Sequence, residues 1–274
     1  MAGKEQPVSW EARFIVEGMY LSVDMPFSVG DFSFERLTSK EYEHLWLPTL
    51  ARVKVEATRF ADVLELGKRR LQDFLGLYTL DGWTSPRIVG EAGFASLTPE
   101  VHIAAKPAQR FRPRGLVWSE SFKEDLISAN ERLQDIDFSS SNYAYIRTAL
   151  DYLLYSGEAS RIEEKLIDLV ISLEVLFSSG GSSYGTAHRV ASLIGTDDNQ
   201  RTRVFNDIRK TYNERSQLLH GSYSKPPNSE TDEHVQNAGK YVKESVKKFL
   251  ELASRYSRED INRKLDLAIG KAVF

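Results

Sequence analysis

Residues 160–177, RIEEKLIDLVISLEVLF after a leading serine, constrain the fold more than any other stretch. The second half of this segment is apolar almost all round, and a helix without a polar face must be buried on most sides. Such a helix needs neighbours to surround it, so it belongs at the centre of a bundle. The flanking sequence provides them. Segments 119–135, 143–155, 184–195, 199–220, 235–256 and 260–272 all read as helices. Examples of the spacing are Phe122, Leu126 and Leu133 in the first, and Val242, Val246, Phe249 and Ala253 in the fifth. The linkers are short, which makes successive helices antiparallel.

The first 118 residues have a different character and read as a mixed α+β domain. Phe14 to Val23 and Arg52 to Ala57 are rich in β-branched and aromatic residues and predict strands. Residues 59–77 predict an amphipathic helix, 38–46 a short one, and 87–89, 93–97 and 101–105 further strands. The short basic run 110–114 reads as a solvated linker. The expectation is therefore an α+β domain over 1–118 and an all-α bundle over 119–274.

Composition narrows the class of function. No run approaches the roughly 18 apolar residues of a membrane span, and the first residues, MAGKEQPVSW, lack the apolar core of a secretory leader. Cysteine is absent, which removes disulfides, thiolate metal sites and a cysteine nucleophile together. A cytoplasmic protein is the expectation, with no membrane partner and no cofactor. Net charge is −3, but residues 201–274 carry 15 Lys/Arg against 10 Asp/Glu, so the basic excess falls in the last quarter.

That basic segment holds the most informative residues. The helix predicted over 199–220 carries apolar residues at Val204, Ile208, Leu218 and Leu219, with Arg215 on or beside the buried stripe. Tyr212, Ser216 and His220 follow at steps of four along a neighbouring face, and Gly221 is placed to stop the helix. Arg215 thus precedes His220 by five positions, with Ser216 directly after the Arg. Histidine titrates near neutral pH and suits proton transfer. Arginine offers a fixed charge and a forked set of donors for a phosphate.

The Arg-x4-His pattern with a polar residue after the Arg, here RSQLLHG, resembles the HEPN superfamily of all-helical domains, and most closely its ApeA-like group. Leu173 to Phe177 (LEVLF) is similar to that family's core helix and His188-Arg189-Val190-Ala191 to its next one. The resemblance covers only the last half of the chain. It implies a metal-independent endoribonuclease acting on single-stranded RNA, in a stress or phage-defence setting, with Arg215, His220 and Ser216 as catalytic residues. It also implies a homodimer that pools both motifs in one cleft. Dimerisation answers a geometric problem, because five residues of helix turn Arg215 and His220 about 140° apart. Where the widespread form of the family has Asn after the Arg, this chain has Ser216, a shorter side chain with fewer donors. The first domain would sense a trigger or select substrate. Two rivals stand beside this reading: a non-catalytic HEPN scaffold binding a nucleotide or a protein, and a helical interaction module.

Glu174, Arg189 and Tyr212 are the supporting candidates. A carboxylate in the most apolar helix is costly unless paired, so Glu174 is expected to form a buried ion pair with Arg189 or Arg215. Loss of either partner would then cost about 3–5 kcal/mol. The functional alternative is a carboxylate that orients the Arg or His of the motif. Gly181-Ser182-Ser183-Tyr184-Gly185 fits the hydrolase elbow G-x-S-x-G, but that motif needs a strand before it. A loop between two bundle helices is the expectation here. His188, His220 and His234 show no metal-site spacing.

Overall fold

A computed structural model describes residues 7–17, 27–36, 49–81, 86–96, 102–104, 122–177, 182–220 and 229–271. The chain divides into two compact units, Met1–Asp135 and Ile136–Phe274. An α+β unit is followed by a helical one.

In the first unit six strands form one antiparallel sheet. They are β1 (Val8–Glu17), β2 (Phe27–Val29), β3 (Phe32–Arg36), β4 (Thr49–Ala57), β5 (Arg87–Ser96) and β6 (His102–Ala104), in the order β2-β3-β4-β1-β5-β6. Alternation sorts the two faces of the sheet. On β4, Thr49, Ala51, Val53, Val55 and Ala57 are buried while Lys54 and Glu56 are exposed. Cross-strand register sets Phe14 and Phe34 beside Ala51, and Ala12 and Phe32 beside Val53. Helix α1 (Val63–Asp81), preceded by a 3-10 turn over Phe60–Asp62, packs on β1, β4 and β5. Its Phe74 ring lies 4.4 Å from that of Phe32 and 5.5 Å from that of Phe34. Gly67 permits the close approach, since a Cβ there would sit 2.4 Å from the Ala12 Cβ. The other face carries ion pairs among Glu11, Arg13, Glu35 and Arg52.

The strands expected over 87–89 and 93–97 are one strand, β5, broken in register against β1 between Arg13 and Phe14 and again between Ile15 and Val16. Gly93, at φ 108°, sits beside the first break, in a conformation that only glycine adopts readily. The first predicted strand begins earlier than expected, at Val8. The short helix expected over 38–46 and the basic run 110–114 lie outside the described residues. Helix α2 (Phe122–Asp135) packs on α1. Asp81 of α1 pairs with Arg132 at 2.6 Å. The second unit consequently starts at Ile136 and not at residue 119.

The second unit contains α3 (Ser141–Glu158), α4 (Ile162–Phe177), α5 (Ser183–Ile194), α6 (Asp198–Leu219), α7 (Ser229–Ala253) and α8 (Arg258–Lys271). As its composition requires, α4 is central: α3, α5, α6, α7 and α8 all pack against it. Leu166, Leu169, Val170, Leu173, Leu176 and Phe177 are buried. Full burial of each stabilises the fold by about 1.5–3 kcal/mol before entropy is counted. Phe177 meets Phe249 of α7 edge to face at 5.2 Å, and Ser172 donates to the Ala149 carbonyl of α3 at 2.8 Å.

The C-terminal end of α4 is closed by side chains from elsewhere. The last carbonyls of a helix have no partner within it. Here those of Val175, Leu176 and Phe177 accept from Arg258 Nη1 (3.1 Å), Asn262 Nδ2 (3.2 Å) and Arg189 Nη1 (2.6 Å). Two of the three donors are cationic, the sign favoured at a helix C-terminus.

Candidate functional site at the end of α6

Helix α6 starts where the sequence places it. Asp197 caps it by accepting from the Gln200 N–H at 2.8 Å, and Gln200 Oε1 accepts from the Thr196 N–H at 2.9 Å. Val204, Ile208 and Thr211 are buried at successive turns and fix the rotation of the helix. Leu219, expected on the buried stripe, is 57% exposed. The helix ends at Leu219 with His220 as the C-cap residue, its N–H donating to the Ser216 carbonyl at 3.1 Å. Gly221, the expected stop, lies outside the described residues.

Arg215 sits at the edge of the buried stripe, with its side chain 31% exposed. Its guanidinium Nη2 lies 4.0 Å from Glu174 Oε2 of α4, while its Nε is buried and makes no hydrogen bond. The Glu174 side chain is itself 39% exposed. The buried pair expected for Glu174 is therefore replaced by a loose pair at the rim of the bundle. The reason is that α4 is not apolar all round at this turn, and Glu174 points to the edge where α6 passes. Of the two partners left open for it, Arg215 is the neighbour and Arg189 is not.

Arg189 is buried and structural. Its Nε and Nη2 donate to the two carboxylate oxygens of Asp266 on α8, at 2.7 and 2.8 Å, and its Nη1 closes the end of α4. Tyr212 is buried beside the same edge. Burial pushes its phenol well above the usual range; the Thr186 hydroxyl and Arg215 oppose this shift, and Glu174 adds to it. Glu174, Tyr212 and Arg215 thus come together. Ser216 and His220 are exposed on the following turns. His220 makes no side-chain hydrogen bond or ion pair among the described residues. Along the axis it stands about 7.5 Å beyond Arg215, and about 140° round it.

A second polar cluster was not anticipated. Glu214, next to Arg215 in sequence, is buried, with Oε2 3.7 Å from His234 Nε2 of α7. The same nitrogen lies 3.1 Å from Thr211 Oγ1, which donates to the Asp207 carbonyl at 2.8 Å. Since the Thr211 proton is committed there, His234 is the donor in the contact between them. This cluster ties α6 to α7. The one available signal was Glu214 itself, three residues past Thr211 and therefore on its face of the helix.

Of the G-x-S-x-G stretch expected to be a loop, Ser182 is the N-cap of α5 and Ser183 to Gly185 form its first turn, while Gly181 lies outside the described residues. Ser182 Oγ accepts from the Gly185 N–H at 3.3 Å at the start of α5. No group of three His, Asp or Glu that could hold a metal ion occurs among the described residues. No described helix is long and apolar enough to cross a membrane. No protein-family model, curated protein or solved structure matches this chain.

Proposed function

We propose that the chain is a metal-independent endoribonuclease of HEPN type, active as a homodimer on single-stranded RNA. One observation carries the reading. Neither member of the Arg215/His220 pair is used up by the core: the Arg215 side chain is partly exposed and stands beside Glu174, and the imidazole is exposed without a partner among the described residues.

The chemistry follows from those two groups. An imidazole removes the proton of a ribose 2′-hydroxyl, and the freed oxygen attacks the adjacent phosphorus. The guanidinium holds the charge that builds on the phosphorane oxygens. The 5′-oxygen departs with a proton from a second imidazole, leaving a 2′,3′-cyclic phosphate and a 5′-hydroxyl. Two imidazoles and two guanidiniums are available when two copies place their α6 ends together. Leu219, exposed beside His220, gives that junction an apolar contact. Ser216 donates to a phosphate oxygen at the same place. The first unit senses a trigger or selects RNA, in a stress or phage-defence setting.

The test is cleavage of a labelled single-stranded RNA in EDTA, with end-group analysis. Cyclic phosphate ends are expected, and a strand methylated at every 2′ oxygen resists. Arg215→Ala and His220→Ala each abolish cleavage, and Arg215→Lys loses most of it because a point charge does not reproduce the fork. A folded dimer that leaves RNA intact, alone and as residues 136–274, while binding a nucleotide tightly would replace this reading with the scaffold.

A further inference from the structure

Upstream of the motif, α5 and α6 bring three rings and a cation together at the surface. Tyr184 is 52% exposed. Its ring meets His188 at 4.6 Å and Phe205 at 5.2 Å, both edge on, and His188 in turn lies 4.4 Å from Phe205. The two inner rings are half-buried, so the outer one is braced against collapse. Burial holds the His188 imidazole below its usual pKa, so it braces Tyr184 as a neutral ring at neutral pH. The Arg209 guanidinium stands 5.3 Å from the centre of the Tyr184 ring. It has no ion-pair partner among the described residues, and its Nε is buried without a hydrogen bond.

The Tyr184 ring rests on two partly buried rings, keeps about half of its surface open to solvent, and has a cation beside it. Phe205, Arg209, Tyr212, Ser216 and His220 follow at helical spacing, so the cluster shares a face of α6 with Ser216 and His220 of the motif. Arg209 and His220 are about 16 Å apart along the axis, a span that a few unstacked nucleotides cover. The charge around it suits a polyanion: α6 carries five Arg or Lys against three Asp or Glu, of which Glu214 is buried.

We propose that Tyr184, braced by His188 and Phe205 and flanked by Arg209, is a stacking platform for an unpaired base of single-stranded RNA, with Arg209 meeting the adjoining phosphate. The choice of RNA rests on the ribonuclease reading; the platform itself rests on the ring geometry. An aromatic plane with an unpaired cation is the pairing used to hold unpaired strands without sequence preference.

The experiment measures fluorescence anisotropy with the full chain, carrying His220→Ala so that the probe survives. The probes are a labelled twelve-residue oligo(A) ribonucleotide, the same length of abasic ribose-phosphate strand, and a twelve-base-pair RNA duplex. Tyr184→Ala is expected to weaken oligo(A) binding about five- to a hundredfold, and Tyr184→Phe to leave it nearly unchanged. Binding of the abasic strand and the duplex does not respond to either change. Arg209→Ala weakens oligo(A) and the abasic strand alike. Circular dichroism and melting confirm that each variant is folded. Oligo(A) binding unaffected by Tyr184→Ala overturns the platform, and so does an equal loss for the abasic strand, which would mark a backbone contact. The two proposals separate cleanly. Tyr184-dependent binding without cleavage by the wild-type chain refutes the nuclease alone, whereas cleavage that keeps its KM in Tyr184→Ala refutes the platform alone.

Discussion

Arg189 and Glu174 were both candidates for one buried ion pair, and the structure gives them opposite energetic standing. Arg189→Met removes the guanidinium but keeps most of the aliphatic volume, so packing loss is small. What disappears is a bidentate bond to Asp266 and the bond to the Phe177 carbonyl. Asp266 is 48% exposed, so it rehydrates and contributes only a modest part of the loss. The Phe177 carbonyl has no such relief, and an unsatisfied buried acceptor costs about 1–3 kcal/mol. Together the change is expected to cost about 3 kcal/mol. Glu174→Gln breaks a 4.0 Å pair between two partly exposed groups, where the typical value is about 0–1 kcal/mol. Urea unfolding of residues 136–274 at pH 7 measures both, with a common m-value as the check on two-state behaviour. A loss for Glu174→Gln as large as that for Arg189→Met would refute this assignment of structural and rim roles.

Three further outcomes are expected. Gly67→Ala forces a methyl group against Ala12 Cβ and should destabilise the first unit by about 1–3 kcal/mol, read as a lower urea midpoint. On the proposed dimer, whose junction is the α6 end, Leu219→Lys should give a monomer in multi-angle light scattering at micromolar concentration with its helical circular dichroism intact, and a dimer unaffected by the change would refute that junction. Burial, with Glu164 beside it, raises the Asp168 carboxyl above its usual pKa, so the folded state holds that proton more tightly than the unfolded one. The penalty is absent below about pH 3.8 and grows as pH rises through the folded value. Asp168→Asn should therefore unfold at higher urea than the wild type at pH 7, with the difference vanishing at the acid end.

Much of the helical unit was legible because its signal is local. The mostly apolar second half of 160–177 placed α4 at the centre, and the helix expected from 199 begins at Asp198. The partners of charged side chains were not legible, because they depend on how helices far apart in sequence rotate against each other. Arg189 meets Asp266 across 77 residues, and nothing near either of them announces it. Glu214 and His234 were obscured for another reason: charged and titratable residues on a polar helix read as solvated until a neighbouring helix covers them. In the first unit the bulges of β5 interrupted the alternation that marks a strand, so one strand read as two. The candidate site was legible as a motif, but its support by Glu174 was one of two open pairings, and the aromatic cluster was not legible because Tyr184 and His188 meet Phe205 only through the packing of α5 on α6.

The closure of α4 also sets an order of events during synthesis. Its last carbonyls are made long before the groups that cover two of them, since Arg258 follows Val175 by 83 residues and Asn262 follows Leu176 by 86. At bacterial-to-eukaryotic elongation speeds that gap lasts roughly 4–17 seconds. Throughout it two of the last carbonyls of α4 lack their donors, and the last helix that packs on α4 is missing. The helices that cover the rest of α4, namely α3, α5, α6 and α7, all precede α8 in the chain, so α8 arrives last and completes the end of α4.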